Sequence, residues 1–156
     1  MKTIKKIAIV IFSLFLTFCI GFGLLILFWE APWENEEKSA RGQIRVSFGL
    51  EVPKEAQLAY YYDDKAFQDW TKYCVFTFEN EPTEWLQTSE FSQKKDSAFE
   101  HSINEFLRWR TDGGNDDTPQ EYIPTFDKEY FWITKGTYFL VYIPDDSMLI
   151  AYFVNM

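Results

Sequence analysis

The sequence predicts an α+β fold: an N-terminal transmembrane helix, then one small domain on a mainly antiparallel sheet, with a C-terminal three-strand meander and one main helix. Three observations carry that expectation. An uncharged apolar run of 23 residues fills positions 7–29. Three strand-like runs end the chain at 129–134, 137–143 and 148–155, divided by Lys135 with Gly136 and by residues 144–147, which are turn-forming. Between them and the apolar run, Phe99, Ile103, Phe106 and Leu107 recur at i, i+4, i+7 and i+8, the spacing of one helical stripe.

Taking the elements in order, a helix over 7–29 would rise roughly 34 Å, enough to cross a bilayer with some tilt. Lys2, Lys5 and Lys6 precede the run, and Glu30, Glu34, Glu36 and Glu37 follow it. The positive-inside rule therefore puts Met1 in the cytoplasm and the rest of the chain outside, with Trp29 and Trp33 at the interface. Two alternatives compete with a permanent anchor. Gly21 and Gly23 offer a small pair for signal cleavage, but six apolar residues follow them, from Leu24 to Trp29. Cys19 invites lipid attachment, for which the bulky Phe18 before it is a poor fit. The domain plan is then 1–29 as cytoplasmic tip and anchor, 30–43 as a polar juxtamembrane linker, and 44–156 as the extracytoplasmic domain.

Within that domain 44–52 is ambiguous, and Pro53 argues against a helix crossing it. Residues 57–63 and 73–78 read as strands, rich in aromatic and β-branched side chains and separated by the polar stretch 64–72. Asn80 is placed to cap a short helix with Pro82 in its first turn and Trp85 and Leu86 inward. The main helix starts at Ser97, which with Glu100 matches a capping box. His101, two positions from Phe99, points away from the stripe to solvent.

The late strands are apolar on both sides. Phe139, Val141 and Ile143 share one face of their run, and Tyr138, Leu140 and Tyr142 share the other. Such strands need both faces covered. The visible helices are too few for that, so one face is a candidate to present tyrosine and tryptophan to a partner. Of the 31 aromatic residues, 25 lie outside the apolar run.

Reactive constellations are sparse. Cys19 lies in the apolar run and Cys74 is alone in the domain, so no disulfide is expected within the domain, and Cys74 reads as a small buried strand residue. The pairs Asp63 with Asp64, Asp116 with Asp117 and Asp145 with Asp146 sit beside turn-like residues, where Asp bonds its own backbone. The stretch DGGNDD, 112–117, lacks the alternating ligand spacing of an EF-hand. No phosphate loop, dinucleotide glycine pattern or zinc-ligand spacing occurs, so neither cofactor nor metal is expected and no catalytic residue is assigned.

The run FGLEVPKEAQLAYYYDD and the late hairpin YFWITKGTYFLVYIPDDSMLIAYF resemble small exported or membrane-anchored proteins of low-GC Gram-positive bacteria that have no assigned activity. That family places a His- and Gly-rich turn after the tyrosine strand, whereas this chain has KAFQDW at 65–70. The resemblance implies an exported or anchored protein and carries over no site residue.

Charge bounds the partners. The whole chain carries −9, but from Glu30 onward 12 basic residues face 24 acidic ones, a charge of −12. Such a body repels nucleic acid and anionic headgroups, because both demand Lys and Arg against phosphate. The sequence reading is therefore a single-pass cell-membrane protein whose exterior domain is a non-catalytic binding module. The bilayer is its partner through residues 7–29, and a basic protein, peptide or other cell-surface ligand is its partner outside. Expected contacts are Tyr60, Tyr62, Asp63, Asp64 and Trp70, where a strand end and the following turn bring rings and carboxylates close together. Alternatives are an extracytoplasmic hydrolase using surface carboxylates and an acidic immunity- or inhibitor-like protein.

Overall fold

A computed structural model describes residues 15, 17–19, 21, 32–64, 70–112 and 118–155. The chain divides into two units, Met1–Glu36 and Glu37–Met156. In the first, Phe15, Thr17, Phe18, Cys19 and Gly21 are helical, and Phe15 and Phe18 are exposed. Apart from those five positions, the apolar run 7–29 lies outside the described residues. Among the described residues, no helix is long and apolar enough to cross a membrane.

The second unit is α+β. Strands β1 (Gln57–Asp64) and β2 (Trp70–Thr77) pair antiparallel, and β3 (Phe131–Lys135), β4 (Tyr138–Ile143) and β5 (Met148–Asn155) form the expected meander. β5 pairs with β2 as well, closing one antiparallel sheet in the order β1–β2–β5–β4–β3. Gly136 makes the two-residue β3–β4 turn: its φ of +63° with Thr137 not positive is the pattern that puts glycine first. Ser147 takes the left-handed conformation, φ +49°, at the end of the turn Pro144–Asp146 that joins β4 to β5.

The sheet is apolar on both faces, and both are covered. One face carries Cys74, Phe76, Leu140, Leu149 and Phe153, packed under Ala40, Ile44 and Phe48 of helix α1 (Pro32–Phe48). Val52 and Ala56 of the following loop and Leu86 of helix α2 (Thr83–Thr88) complete that layer. The other face carries Tyr73, Val75, Val141, Ile150 and Tyr152 under Phe99, Ile103 and Leu107 of helix α3 (Ser97–Asp112). The result is three layers, helix on sheet on helix.

Five expectations are corrected. Residues 30–43, read as a tether, are helical from Pro32, and the helix runs through the ambiguous segment to Phe48. Its composition is polar because the sheet needs only every fourth residue, Ala40, Ile44 and Phe48, to be apolar. Gly49 ends the helix in the left-handed conformation, φ +73°, with its N–H on the Arg45 carbonyl at 2.9 Å, four residues before Pro53. This helix is the missing cover, so the aromatic surplus goes into two core layers instead of one bare face.

The α3 cap sits one residue earlier than expected. Asp96 Oδ1 accepts from the N–H of Ala98 at 2.9 Å and of Phe99 at 3.2 Å, so it is the cap. Glu100 falls out of the box and accepts from the Tyr130 hydroxyl at 2.7 Å. α2 begins at Thr83 with Pro82 before it and no side-chain cap, so Asn80 plays no capping part. β2 begins at Trp70, three residues earlier than the aromatic run suggested, because Lys72 and Thr71 pair with Phe153 and Val154 in the ladder.

Candidate functional site

The strand alternation that builds the layers also decides what the expected site looks like. Tyr60 and Tyr62 pair with Val75 and Tyr73, so they lie on the α3 face; Tyr61 and Asp63 pair with Cys74 and Lys72, on the α1 face. Of the five expected residues, Tyr60, Tyr62 and Asp64 therefore share one side of β1, and Asp63 and Trp70 share the other side of the hairpin. A bulge between Leu58 and Tyr60 sets this phase.

On the α3 face the tyrosines are packing. The Tyr60 ring lies 5.9 Å from Tyr73 and 5.7 Å from Tyr122, and its hydroxyl accepts from Thr118 Oγ1 at 3.1 Å. The Tyr73 hydroxyl in turn donates to the Tyr122 carbonyl. Tyr62 is half-buried against the same layer, and Asp64 is exposed.

On the α1 face a polar chain crosses from helix to sheet. Tyr61 donates its one hydroxyl proton to Asp63 Oδ2 at 3.2 Å, so in the 3.0 Å bond between Ser39 Oγ and the Tyr61 hydroxyl, Ser39 is the donor. Burial raises the Tyr61 phenol above its usual value; Ser39 works against that rise and the Asp63 charge adds to it. The Lys72 ammonium stands 3.5 Å from Asp63 Oδ2 and 5.8 Å from the centre of the Trp70 ring. Trp70 leans on Tyr138 at 6.3 Å, which meets Phe153 at 5.7 Å.

One atom in this group is left over. Asp63 is only 13% exposed at its side chain, and its Oδ1 is buried with no hydrogen-bond partner among the described residues. An unsatisfied buried acceptor costs about 1–3 kcal/mol, so a donor arriving there gains what folding left unmade. The structure thus brings Asp63 and Trp70 together through Lys72 and separates both from Tyr60 and Tyr62 by the thickness of the sheet. Sequence reasoning missed Ser39, Tyr61, Lys72 and Tyr138. Ser39 was assigned to a tether, but the charge pairing of Asp63 with Lys72 was open to detection as a cross-strand pair at a hairpin end.

The other reactive groups are placed as structure. Cys74 is 1% exposed, and burial pushes its thiol up to about 12, with Lys72 pulling the other way. It should resist thiol reagents until the domain is denatured, and Cys74→Ala should lower stability by about 1–2 kcal/mol without removing one particular activity. Rapid labelling of the native protein would contradict this. His101 is exposed on α3. Asp146 holds the Lys128 ammonium and raises its pKa. Asp116 and Asp117 lie outside the described residues, and among the described residues no three or more His, Cys, Asp or Glu side chains are grouped to hold a metal.

Comparisons with protein-family models, curated proteins and solved structures find no match to this chain, so its site rests on its own geometry.

Proposed function

We propose that this chain is a single-pass membrane-anchored protein whose exterior domain is a non-catalytic interaction module. It takes a cationic side chain of a basic protein or peptide at the sheet end where Asp63 and Trp70 share one side of the hairpin, with Asp64 on the opposite side of the same strand end. The observation that carries the reading is the nearly buried Asp63 Oδ1, which has no partner among the described residues, on the same side of the hairpin as the half-buried Trp70. A guanidinium or ammonium reaching that oxygen would complete it with a charge-assisted bond, while Oδ2 keeps its bond from Tyr61. The charge of −12 from Glu30 onward steers such a partner inward, and Trp70 supplies contact area that slows its departure. Anchoring is supported by the uncharged run 7–29 between basic and acidic flanks and by the helical, exposed Phe15 and Phe18 within it.

A photo-crosslinking amino acid at Asp64 in the full chain, in intact cells, should give a light-dependent adduct with a protein of net positive charge. The same residue at His101, exposed on α3, should give none. Asp63→Asn should diminish the adduct, and Trp70→Ala should shorten the complex's lifetime by about thirtyfold, a hot-spot loss of roughly 2 kcal/mol. Adducts of equal yield at both positions, or indifference to Asp63→Asn, would sink the assignment.

A further inference from the structure

The acidic character of the domain reverses in one place. Lys38, Arg41 and Arg45 of α1 and Lys54 of the following loop line an open groove of about 480 Å³, which Glu37 and Glu51 also border. Four of the 12 basic residues after Glu30 are therefore gathered there with two of the 24 acidic ones. Glu37 is committed to Arg41, whose Nε it accepts at 2.7 Å. Arg41 is itself fixed as a wall: Nη1 donates to the carbonyls of Val52 and Pro53 at 3.0 Å each, and Nη2 to that of Ala56 at 2.5 Å. One wall of the groove is thus fixed by the fold, and Lys38, Arg45 and Lys54 stand exposed around it.

Its floor carries a second signal. Gly42 lies inside α1, one turn after Lys38 and one turn before Arg45, so all three share a helix face. Glycine inside a helix weakens it relative to alanine. Among the described residues no neighbour asks for it, since a Cβ at Gly42 would meet nothing within 4 Å. A bare backbone flanked by cations above an open space is what a compact anion lying on the helix would require.

We infer that this groove binds a phosphate group, held between Arg45, Lys54 and Lys38 and seated on the helix at Gly42. Two sources share that chemistry, the phosphodiester of a lipid headgroup with net negative charge and a soluble phosphate ester. Lys38 follows Trp29, the last residue of the apolar run, by nine positions, which brings the headgroup within the range of sources tested. The site is independent of the Asp63 surface and stands on the other side of the charge balance.

The test uses the isotope-labelled full chain in phosphatidylcholine nanodiscs, followed through the backbone amides of Gly42, Arg45 and Lys54. Inorganic phosphate added at constant ionic strength should shift those amides to saturation if the soluble source is taken. Discs doped with phosphatidylglycerol should shift them without added phosphate if the headgroup is taken. Arg45→Gln with Lys54→Gln should weaken either response about tenfold, as loss of charge-assisted bonds does, while Lys94→Gln with Lys95→Gln leaves it intact. Gly42→Gln should raise thermal stability by improving the helix and yet abolish the shifts, a split that a purely structural glycine would not give. The inference is overturned if chloride produces the same shifts, if neither source does, or if the Arg45 and Lys54 double variant responds like the parent.

Discussion

Arg41→Ala is expected to remove about 3–4 kcal/mol of stability, more than any other single change on the surface of the domain. The side chain is one quarter exposed, yet its guanidinium serves three backbone carbonyls and lies 5.1 Å from the centre of the Phe76 ring. Those carbonyls belong to the loop that carries Val52 and Ala56 into the α1 layer, both of them buried. Truncation leaves acceptors without donors, at about 1 kcal/mol or more each, and lets the loop lift from Phe76. Arg41→Lys should recover little, because one ammonium cannot fork to carbonyls spread over three residues. Glu37→Gln should cost only about 0.5 kcal/mol, since the Glu37 side chain is 40% exposed and forms an i, i+4 pair. Denaturant midpoints of the three variants check the ranking; an Arg41→Ala loss below about 1 kcal/mol would mean that water replaces the guanidinium.

The domain should also come apart steeply in alkali. Burial pushes the Cys74 thiol from 9.0 to about 12, and burial with the bond to Glu100 pushes the Tyr130 phenol from 10.0 to about 12. Tyr142 rises likewise to about 12, through burial and the nearby Glu81 charge. Folded, these groups keep their protons where the unfolded chain has released them. Between 9.0 and about 12 the unfolded state therefore binds fewer protons, and stability that is complete below pH 9.0 is lost as pH rises. With all three engaged the slope approaches roughly 4 kcal/mol per pH unit, about 1.4 kcal/mol for each proton. Urea midpoints measured across that range check it. Cys74→Ala and Tyr142→Phe should each flatten the slope by about one proton, and Tyr142→Phe should be stable at neutral pH because it removes a buried hydroxyl that has no partner. Unchanged stability up to pH 11 would show that these groups ionise without unfolding the chain.

Much of this architecture was legible in the sequence. The continuous apolar runs of the meander and the α3 stripe are strong patterns, because long runs of tyrosine, phenylalanine, isoleucine and valine have few other places to go. The covering requirement was legible too, since strands apolar on both sides announce two cores. Helix α1 was not, because its buried stripe is three residues in 17 and one of them is alanine. Asp96 lost to Ser97 in the reading because serine completed a familiar spacing with Glu100, whereas Tyr130, 30 residues on, claims that carboxylate. For the site, alternation alone was enough to show that three consecutive tyrosines cannot form one platform. That the face shared by Tyr61 and Asp63 would meet Ser39 of α1, and not α3, depended on where the bulge fell, and a one-residue offset in pairing leaves no trace in composition.

The strand order has a consequence for how the chain acquires its shape. β5 lies between β2 and β4, in the middle of the sheet, although it follows every other element in the sequence. As the polypeptide emerges, the β1–β2 hairpin and α1 have no central partner, and neither core can close until Phe153 and Val154 have arrived. Nascent intermediates therefore expose unpaired strand edges and open apolar faces, so the domain gains its cooperativity only when its last strand inserts between two earlier ones.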